Sequence, residues 1–286
     1  MNRAASLLWK LMPLVQVIVL GIIQGLTEFL PISSTAHLVV IPRLLGWPDQ
    51  GLAFDIALHV GTLAAVLVYF FRDWVQVIAQ GLGVQTMGGD PALRRNRQLL
   101  WLLVLGTIPG GIAGLLFQKK AETLWRENLW FIAATSIGVG LIIWLAEAMG
   151  SRQRELDNAN TTDSLMIGLA QAFAVVPGVS RSGSTIAAGL FRNLDRPAAA
   201  RFSFLLSTPI IAGAALKDFY DLVKHEGGIP HDMRVAFLLG IVISAITGTL
   251  AVGFFMNYLR RRSLGVFVLY RMVFGIIVIA LAVFRR

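Results

Sequence analysis

Long apolar blocks separated by short polar connections run along most of the chain. Six blocks lie at 56–71, 99–117, 128–146, 202–216, 235–259 and 264–284. Arg271 is the only Asp, Glu, Lys or Arg inside them. A helix of nineteen residues is about 29 Å long, which matches the hydrocarbon core of a bilayer. The pattern therefore predicts six transmembrane helices in an all-α integral membrane protein.

Two further apolar segments, 11–46 and 164–191, are each interrupted by a proline and a cluster of Ser, Thr and Gly residues. Pro31 and Pro177 lack a backbone donor and push the preceding residue away from helical geometry. Irregular backbone at membrane depth is tolerated only where it is buried in protein or lines a wet cavity. We therefore predict two re-entrant helical hairpins with irregular tips. The alternative counts one or both segments as full spans, which gives up to eight.

The two interrupted segments also resemble each other. Both contain a GxxQ motif, at 21–24 and 168–171, with an offset of 147 residues, and each is followed by three apolar blocks. We therefore divide the single membrane domain into a first repeat, 1–150, and a second repeat, 160–286. Three spans per repeat would invert the second repeat in the membrane. The two hairpin tips are then expected to meet near the midplane.

The composition agrees with a membrane protein and excludes several other classes. Apolar residues make up 56% of the 286 residues and charged residues 14%, whereas an average soluble domain has about 25% charged residues. The absence of Cys excludes a disulfide scaffold and a zinc site built on thiolates. The net charge of +9 lies in loops and helix ends, so we do not interpret it as a nucleic-acid-binding surface.

The positions of Lys and Arg indicate an orientation in the membrane. On the six-span interpretation, 12 lie on the side of the connections 72–97, 149–163, 192–202 and 259–265. The other side has 11, in the termini, at position 43 and in the connections 118–127 and 217–234. The run from Arg260 to Arg262 follows directly after a span, which is typical of a cytoplasmic anchor. We therefore predict that both termini lie on the periplasmic side.

The first hairpin concentrates polar residues that are costly in a membrane. Gln24 and Glu28 are four positions apart and share one helix face. A carboxylate at membrane depth costs roughly 2.5–3.5 kcal/mol, so Glu28 is expected to be paired and functional. His37 lies one turn beyond hydroxyl residues that are suited to cap the returning half-helix. These hydroxyl residues are Ser33, Ser34 and Thr35.

The second hairpin places a positive charge in a loop rich in Gly and Ser, PGVSRSGST at 177–185. Glycine allows close approach of the backbone, and the helix that follows offers free N–H groups. The guanidinium fork of Arg181 suits bidentate recognition of phosphate oxygens. The loop therefore predicts an oxyanion site, and Arg181 neutralising Glu28 is a compatible alternative. The other residues of this loop expected to contact the anion are Ser180, Ser182, Gly183, Ser184 and Thr185. In the first hairpin, Gln24, Ser33 and Thr35 are also expected to bind the substrate.

The segments GxxQGLTEFLPISSTAH and PGVSRSGSTI resemble the two signature motifs of the undecaprenyl-diphosphate phosphatase (bacitracin-resistance protein) family. The segment FDIALHVGTLAAVLVYFFRDW at 54–74 is also similar to that family. The resemblance implies a multi-pass enzyme of the bacterial inner membrane. Such enzymes remove the terminal phosphate of undecaprenyl diphosphate and recycle the lipid carrier of cell-wall synthesis. It also implies two re-entrant hairpins in an inverted repeat and a site that opens to the periplasm.

Matched by position, the family's essential residues correspond to Glu28, Ser34, His37 and Arg181. The resemblance also implies a divalent cation, Mg²⁺ or Ca²⁺, near Glu28. Where family members carry a second Glu, Gln24 stands here and offers only a carbonyl oxygen as a ligand. We expect phosphoryl transfer with Ser34 as the nucleophile and His37 or Glu28 as the general base. Attack by water or by His37 stays open.

Inverted repeats with broken helices are also typical of transporters, so a carrier or flippase of lipid phosphates is the alternative function. The Ser34–His37 pair beside an acid favours the enzyme. The expected partners are a polyprenyl diphosphate and membrane lipids, without nucleic acid, and a homodimer stays open. We interpret Asp55 and His59, one turn apart, as hydrogen-bonding residues between helices, and a supporting role behind the catalytic residues is the alternative. We assign no chemistry to Arg271.

Overall fold

Apolar helices make up most of the protein. The computed structural model describes residues 14–84, 88–226, 229 and 233–284. The predicted periplasmic termini, at 1–13 and 285–286, lie outside the described residues. In chain order the α-helices of the described ranges are α1 (Leu14–Phe29), α2 (Ser34–Leu45), α3 (Leu52–Tyr69), α4 (Phe71–Gly81), α5 (Pro91–Arg95), α6 (Leu99–Lys120), α7 (Leu129–Met149), α8 (Thr161–Ala172), α9 (Arg181–Phe191), α10 (Arg196–Glu226), α11 (Arg234–Leu259) and α12 (Gly265–Phe284).

Six of these helices, α3, α6, α7, α10, α11 and α12, are long and apolar enough to cross a membrane. They coincide with the six predicted blocks, although α10 extends well beyond 202–216 at both ends. Arg201, the charged residue just before that block, does not end the helix, because its guanidinium is paired with two carboxylates. Its guanidinium donates to Asp73 at 2.7 Å and to Asp90 at 2.6 Å.

The connection 72–97, predicted to be a loop, contains the short helices α4 and α5. Val77 on α4 is buried, whereas Phe71, Val75 and Ile78 are exposed. Polar residues alternate with apolar ones in this helix, so it forms no continuous apolar block and hydropathy alone misses it. Its exposed apolar face is typical of a helix that lies at a membrane interface.

Both predicted breaks are present in the fold. Residues 30–33 separate α1 from α2, and residues 173–180 separate α8 from α9. The half-helices have 16, 12, 12 and 11 residues, whereas a span needs roughly 20. The lengths therefore favour six spans over eight.

Each broken segment packs against a span from the other half of the sequence. α1 lies against α11, and α8 lies against α6. At the second contact a Cβ on Gly168 would come within 2.5 Å of the Gly106 carbonyl oxygen, so only glycine allows the two backbones to approach this closely. The division into inverted repeats, 1–150 and 160–286, stays a prediction.

Large apolar side chains cover the outside of the long helices. Leu216, Leu250 and Phe284 are each at least 70% exposed. Such a surface would be unfavourable in water but matches the hydrocarbon region of a bilayer. The protein is therefore an all-α, multi-pass membrane protein.

Candidate active site

Each break ends in a serine with a left-handed backbone. Ser33 has a φ of 74° and Ser180 a φ of 66°, and they directly precede α2 and α9. A non-glycine residue in such a conformation costs of order 1–3 kcal/mol, a strain that is common at functional sites. The two serines are separated by the same 147 residues as the two GxxQ motifs. The same unusual turn therefore starts both returning half-helices.

The Glu28 carboxylate lies where the two hairpins meet, and it is only 7% exposed. Its Oε2 accepts hydrogen bonds from Ser34 Oγ at 2.6 Å and from Gln24 Nε2 at 3.1 Å. Its Oε1 accepts a hydrogen bond from Arg181 Nη2 at 2.8 Å. Ser34 and Arg181 are the first residues of α2 and α9, so both half-helices begin at this carboxylate. The structure thus brings four of the predicted site residues together.

His59 also reaches Glu28, which the sequence interpretation missed. Its Nε2 lies 3.6 Å from Glu28 Oε2, while its Nδ1 donates to the backbone carbonyl of Asp55 at 2.7 Å. The Asp55 carboxylate faces elsewhere and accepts hydrogen bonds from Arg126 and Gln50, each at 2.6 Å. Asp55 therefore forms side-chain hydrogen bonds with residues outside its own helix, whereas His59 faces the Glu28 carboxylate. The i, i+4 spacing gave no indication of which group each side chain faces.

A cavity of about 610 Å³ begins at the Glu28 carboxylate. At this end it is lined by Glu28, Ser33, Ser34, Thr35, Ser180 and Arg181. Apolar residues of α6 and α10, among them Leu115 and Ile211, line its walls. The lining also includes the cationic residues Arg126 and Lys217. The cavity therefore joins a polar pocket to a long apolar wall.

His37 lies behind the first break and does not line this cavity. It is 3% exposed, and its ring stacks on Phe274 with a centroid distance of 4.3 Å. Its Nδ1 donates to the Ser33 carbonyl at 2.7 Å, and its Nε2 accepts from the Tyr270 hydroxyl at 2.7 Å. Both ring nitrogens are thus engaged in holding the strained Ser33 turn. In this geometry His37 positions the loop and has no ring nitrogen free to act as a base or nucleophile.

Gln24 and four residues of the second hairpin were predicted to contact the anion but lie outside the cavity lining. Ser182 Oγ donates to the Leu30 carbonyl at 3.0 Å and so ties the second hairpin to the first. The Gly183 N–H donates to Ser180 Oγ at 3.1 Å, which caps α9. The remaining two hydroxyls donate to carbonyls of their own helix turn. The four residues are Ser182, Gly183, Ser184 and Thr185.

Arg271, to which no chemistry was assigned, links both breaks from α12. It is fully buried, and in the described ranges its guanidinium pairs only with backbone carbonyls. It donates to Pro31 at 3.2 Å in the first break and to Gly178 at 2.8 Å in the second. It also donates to Ser136 at 2.9 Å and Thr135 at 3.3 Å in α7. One buried cation therefore fixes the relative position of the two loops that carry Ser34 and Arg181.

Comparison with known protein families identifies a match that contains the whole site. Residues 17–277 match the family model described as Bacitracin resistance protein BacA. The chain belongs to this family. All residues that line the cavity fall within the range of the BacA match.

Full-length relatives in the BacA family carry a common name. The undecaprenyl-diphosphatase of Moorella thermoacetica is 46% identical over 275 residues, which cover 96% of this chain and 100% of the relative. The undecaprenyl-diphosphatase of Thermomicrobium roseum is 44% identical, with 95% and 99% of the two chains covered. The undecaprenyl-diphosphatase 2 of Stutzerimonas stutzeri is 47% identical, with 94% and 98% covered.

Proposed function

We propose that this chain is an undecaprenyl-diphosphatase, which hydrolyses undecaprenyl diphosphate to undecaprenyl phosphate and inorganic phosphate. The observation that carries the proposal is the meeting of Ser34 and Arg181 at the buried Glu28 carboxylate, at one end of a cavity with apolar walls. Membership of the BacA family and the names of its full-length relatives support the same substrate. The reaction recycles the lipid carrier that cell-wall synthesis uses.

The shape of the cavity suits a lipid diphosphate. A diphosphate carries several negative charges, and Arg181 is the cation that lines the polar end beside Glu28. The polyprenyl carbons would lie along the apolar walls, which include Leu115 and Ile211. The head group and the chain therefore each meet surroundings that match their polarity.

Ser34 is the nucleophile in the mechanism that the geometry supports best. Its Oγ attacks the terminal phosphorus, the bond from this phosphorus to the bridging oxygen breaks, and the electron pair leaves with the lipid phosphate. The Ser34 proton passes to Glu28 Oε2, which already accepts a hydrogen bond from this hydroxyl at 2.6 Å. Water then attacks the phosphoserine, the bond from phosphorus to Ser34 Oγ breaks, and Glu28 returns its proton to this oxygen. The two protons of the water leave with inorganic phosphate. Arg181 stabilises the negative charge of the diphosphate.

A divalent cation, Mg²⁺ or Ca²⁺, is the proposed cofactor, and Glu28 and Gln24 would hold it. Oε1 of Gln24 is a buried carbonyl oxygen without a hydrogen-bond partner in the described part of the chain. The described residues contain no group of three His, Cys, Asp or Glu that could hold an ion alone. One carboxylate, one amide oxygen and substrate phosphates form a ligand set that Mg²⁺ accepts. When bound, such an ion neutralises phosphate charge.

We propose a location in the bacterial inner membrane with the site open to the periplasm. The cavity lining includes Arg126 and Lys217, which belong to the predicted connections 118–127 and 217–234, although the structure places Lys217 within α10. These connections lie on the side that the distribution of Lys and Arg indicates as external. A homodimer stays a prediction.

Phosphate release from undecaprenyl diphosphate by the purified protein in detergent, with and without Mg²⁺ or Ca²⁺, tests the function. A carrier of lipid phosphates without enzymatic activity releases none. For Ser34→Ala we expect kcat to fall by roughly 100-fold or more, because the nucleophile is lost. The control is Ser151→Ala, at an exposed serine outside the cavity lining, which should keep wild-type activity. Near-normal phosphate release by Ser34→Ala would refute the covalent mechanism and favour attack by water.

A further inference from the structure

Gln171, the last polar residue of α8, has no hydrogen-bond partner for its side chain in the described part of the chain. Both its Nε2 and its Oε1 are buried, and the residue is 3% exposed. It lines the same cavity as Glu28 and Arg181. A buried amide without partners is unfavourable, so such a group in a cavity indicates a ligand that completes its hydrogen bonds.

The internal repeat explains why this amide lacks a partner. Gln24, which lies 147 residues earlier, donates to Glu28 one helical turn further on. The position one turn after Gln171 is Val175, which offers no side-chain acceptor. The two glutamines therefore occupy matching positions, but only the first is used to orient a carboxylate. The side-chain amide of Gln171 remains available to bind a ligand in the cavity.

The wall next to Gln171 leaves space for a ligand. A Cβ built on Gly110 of α6 would lie 3.1 Å from Gln171 Nε2, so the amide packs directly against this glycine. Cβ atoms built on Gly111 and Gly114 would meet nothing within 4 Å, and both residues line the cavity. Further along the same helix, Leu115 belongs to the apolar wall. The amide thus shares the cavity lining with the Glu28 carboxylate and with the apolar residue Leu115.

Arg181 provides a second donor in the same cavity. Its Nη2 is engaged by Glu28, but its Nη1 is buried and has no hydrogen-bond partner among the described residues. Two donors, Arg181 Nη1 and Gln171 Nε2, are therefore available to an anionic oxygen at this end of the cavity.

We propose that Gln171 and Arg181 Nη1 bind the phosphate that stays on the lipid, whereas Ser34 and Glu28 face the phosphate that is released. This inference rests on the proposed function. It gives the site two distinct phosphate positions, and it makes Gln171 a residue that selects a lipid-linked phosphate. The product, a polyprenyl monophosphate, keeps the group that Gln171 contacts, but inorganic phosphate does not.

Kinetic measurements with Gln171→Leu test the proposal. We expect KM for undecaprenyl diphosphate and Ki for undecaprenyl monophosphate to rise together by roughly 10- to 100-fold, because a hydrogen bond to a charged group is lost. Ki for inorganic phosphate and kcat should stay within a few-fold of wild type. Gln171→Glu, which has the same size, should raise both lipid constants further by repulsion. It also serves as the test if the leucine variant does not fold.

Gln16→Leu is the matched control, since Gln16 is a fully buried glutamine outside the cavity lining. It should keep the wild-type constants. Unchanged Ki for the lipid monophosphate in both Gln171 variants, or an equal rise for inorganic phosphate, would overturn the proposal and leave the phosphatase function intact. If the wild-type protein releases no phosphate, the proposed function fails instead. The role of Gln171 is then tested by measuring the binding of undecaprenyl monophosphate through tryptophan fluorescence. Weaker binding by Gln171→Leu supports the proposed phosphate site, and equal binding refutes it.

Discussion

Replacement of Arg181 by lysine separates the two tasks that the structure gives to this guanidinium. Nη2 donates to Glu28 Oε1 at 2.8 Å, and Nη1 is buried without a partner in the described ranges. A guanidinium can serve the carboxylate and a phosphate at once, because its donors form a rigid fork. The single nitrogen of lysine has to serve one at the expense of the other. Arg181→Lys therefore keeps the charge and removes the fork.

The expected loss follows from the number of donors. One hydrogen bond to a charged group contributes about 1.5–3 kcal/mol, so kcat/KM for undecaprenyl diphosphate should fall roughly 10- to 150-fold. Phosphate release from detergent-solubilised substrate gives kcat and KM. Arg192→Lys is the matched control, since Arg192 pairs with Asp163 at 2.7 Å and does not line the cavity. It should keep nearly all activity.

A wild-type value of kcat/KM for Arg181→Lys would refute the claim that the forked donors of the guanidinium are needed. Charge alone would then be sufficient at this position, and the unpaired Nη1 would have no role in substrate binding. A loss of equal size in Arg192→Lys would point to a general effect of Arg-to-Lys changes on the fold.

Two further predictions concern the breaks. Arg271→Lys should destabilise the protein by about 2–4 kcal/mol, because an ammonium cannot reach all the carbonyls that the guanidinium bonds. Denaturant unfolding in detergent measures this loss. Unchanged stability would contradict the prediction. Gly178→Ala should cost about 1–3 kcal/mol and lower phosphate release, because φ is 87° and a Cβ would collide with Thr135 Oγ1. A variant with wild-type stability and activity would show that the loop adjusts freely.

The sequence predicts best those parts of the fold in which a group at membrane depth would be energetically costly if it had no partner. A charged group or an unpaired backbone group at membrane depth is so costly that it has to be paired or functional. This is why Glu28 and Arg181 are identifiable from sequence as a pair, although 153 positions separate them. It is also why Pro31 and Pro177 predict the two breaks.

Sequence could not decide which way the polar side chains of the loops face. His37 and His59 both follow a polar residue at helical spacing, yet the structure places His59 in the cavity and His37 behind it. Likewise, Ser182 and Ser180 lie two positions apart in one loop, and only Ser180 lines the cavity. Which of the two side chains faces the cavity depends on the left-handed turn at Ser180. A serine, unlike a glycine, does not indicate such a turn in advance.

The hydrogen-bond partners of Arg271, which hold the two breaks together, could not be predicted from sequence either. Its partners are backbone carbonyls, which every residue has, so no sequence pattern identifies them. A carboxylate partner would have been recognisable from the sequence as a compensating charge. Because the same guanidinium bonds Pro31 and Gly178, the distance between the two breaks is set by α12 and not by the hairpins alone. The contact between Ser34 and Arg181 through Glu28 therefore depends on a helix that contributes no residue to the cavity lining.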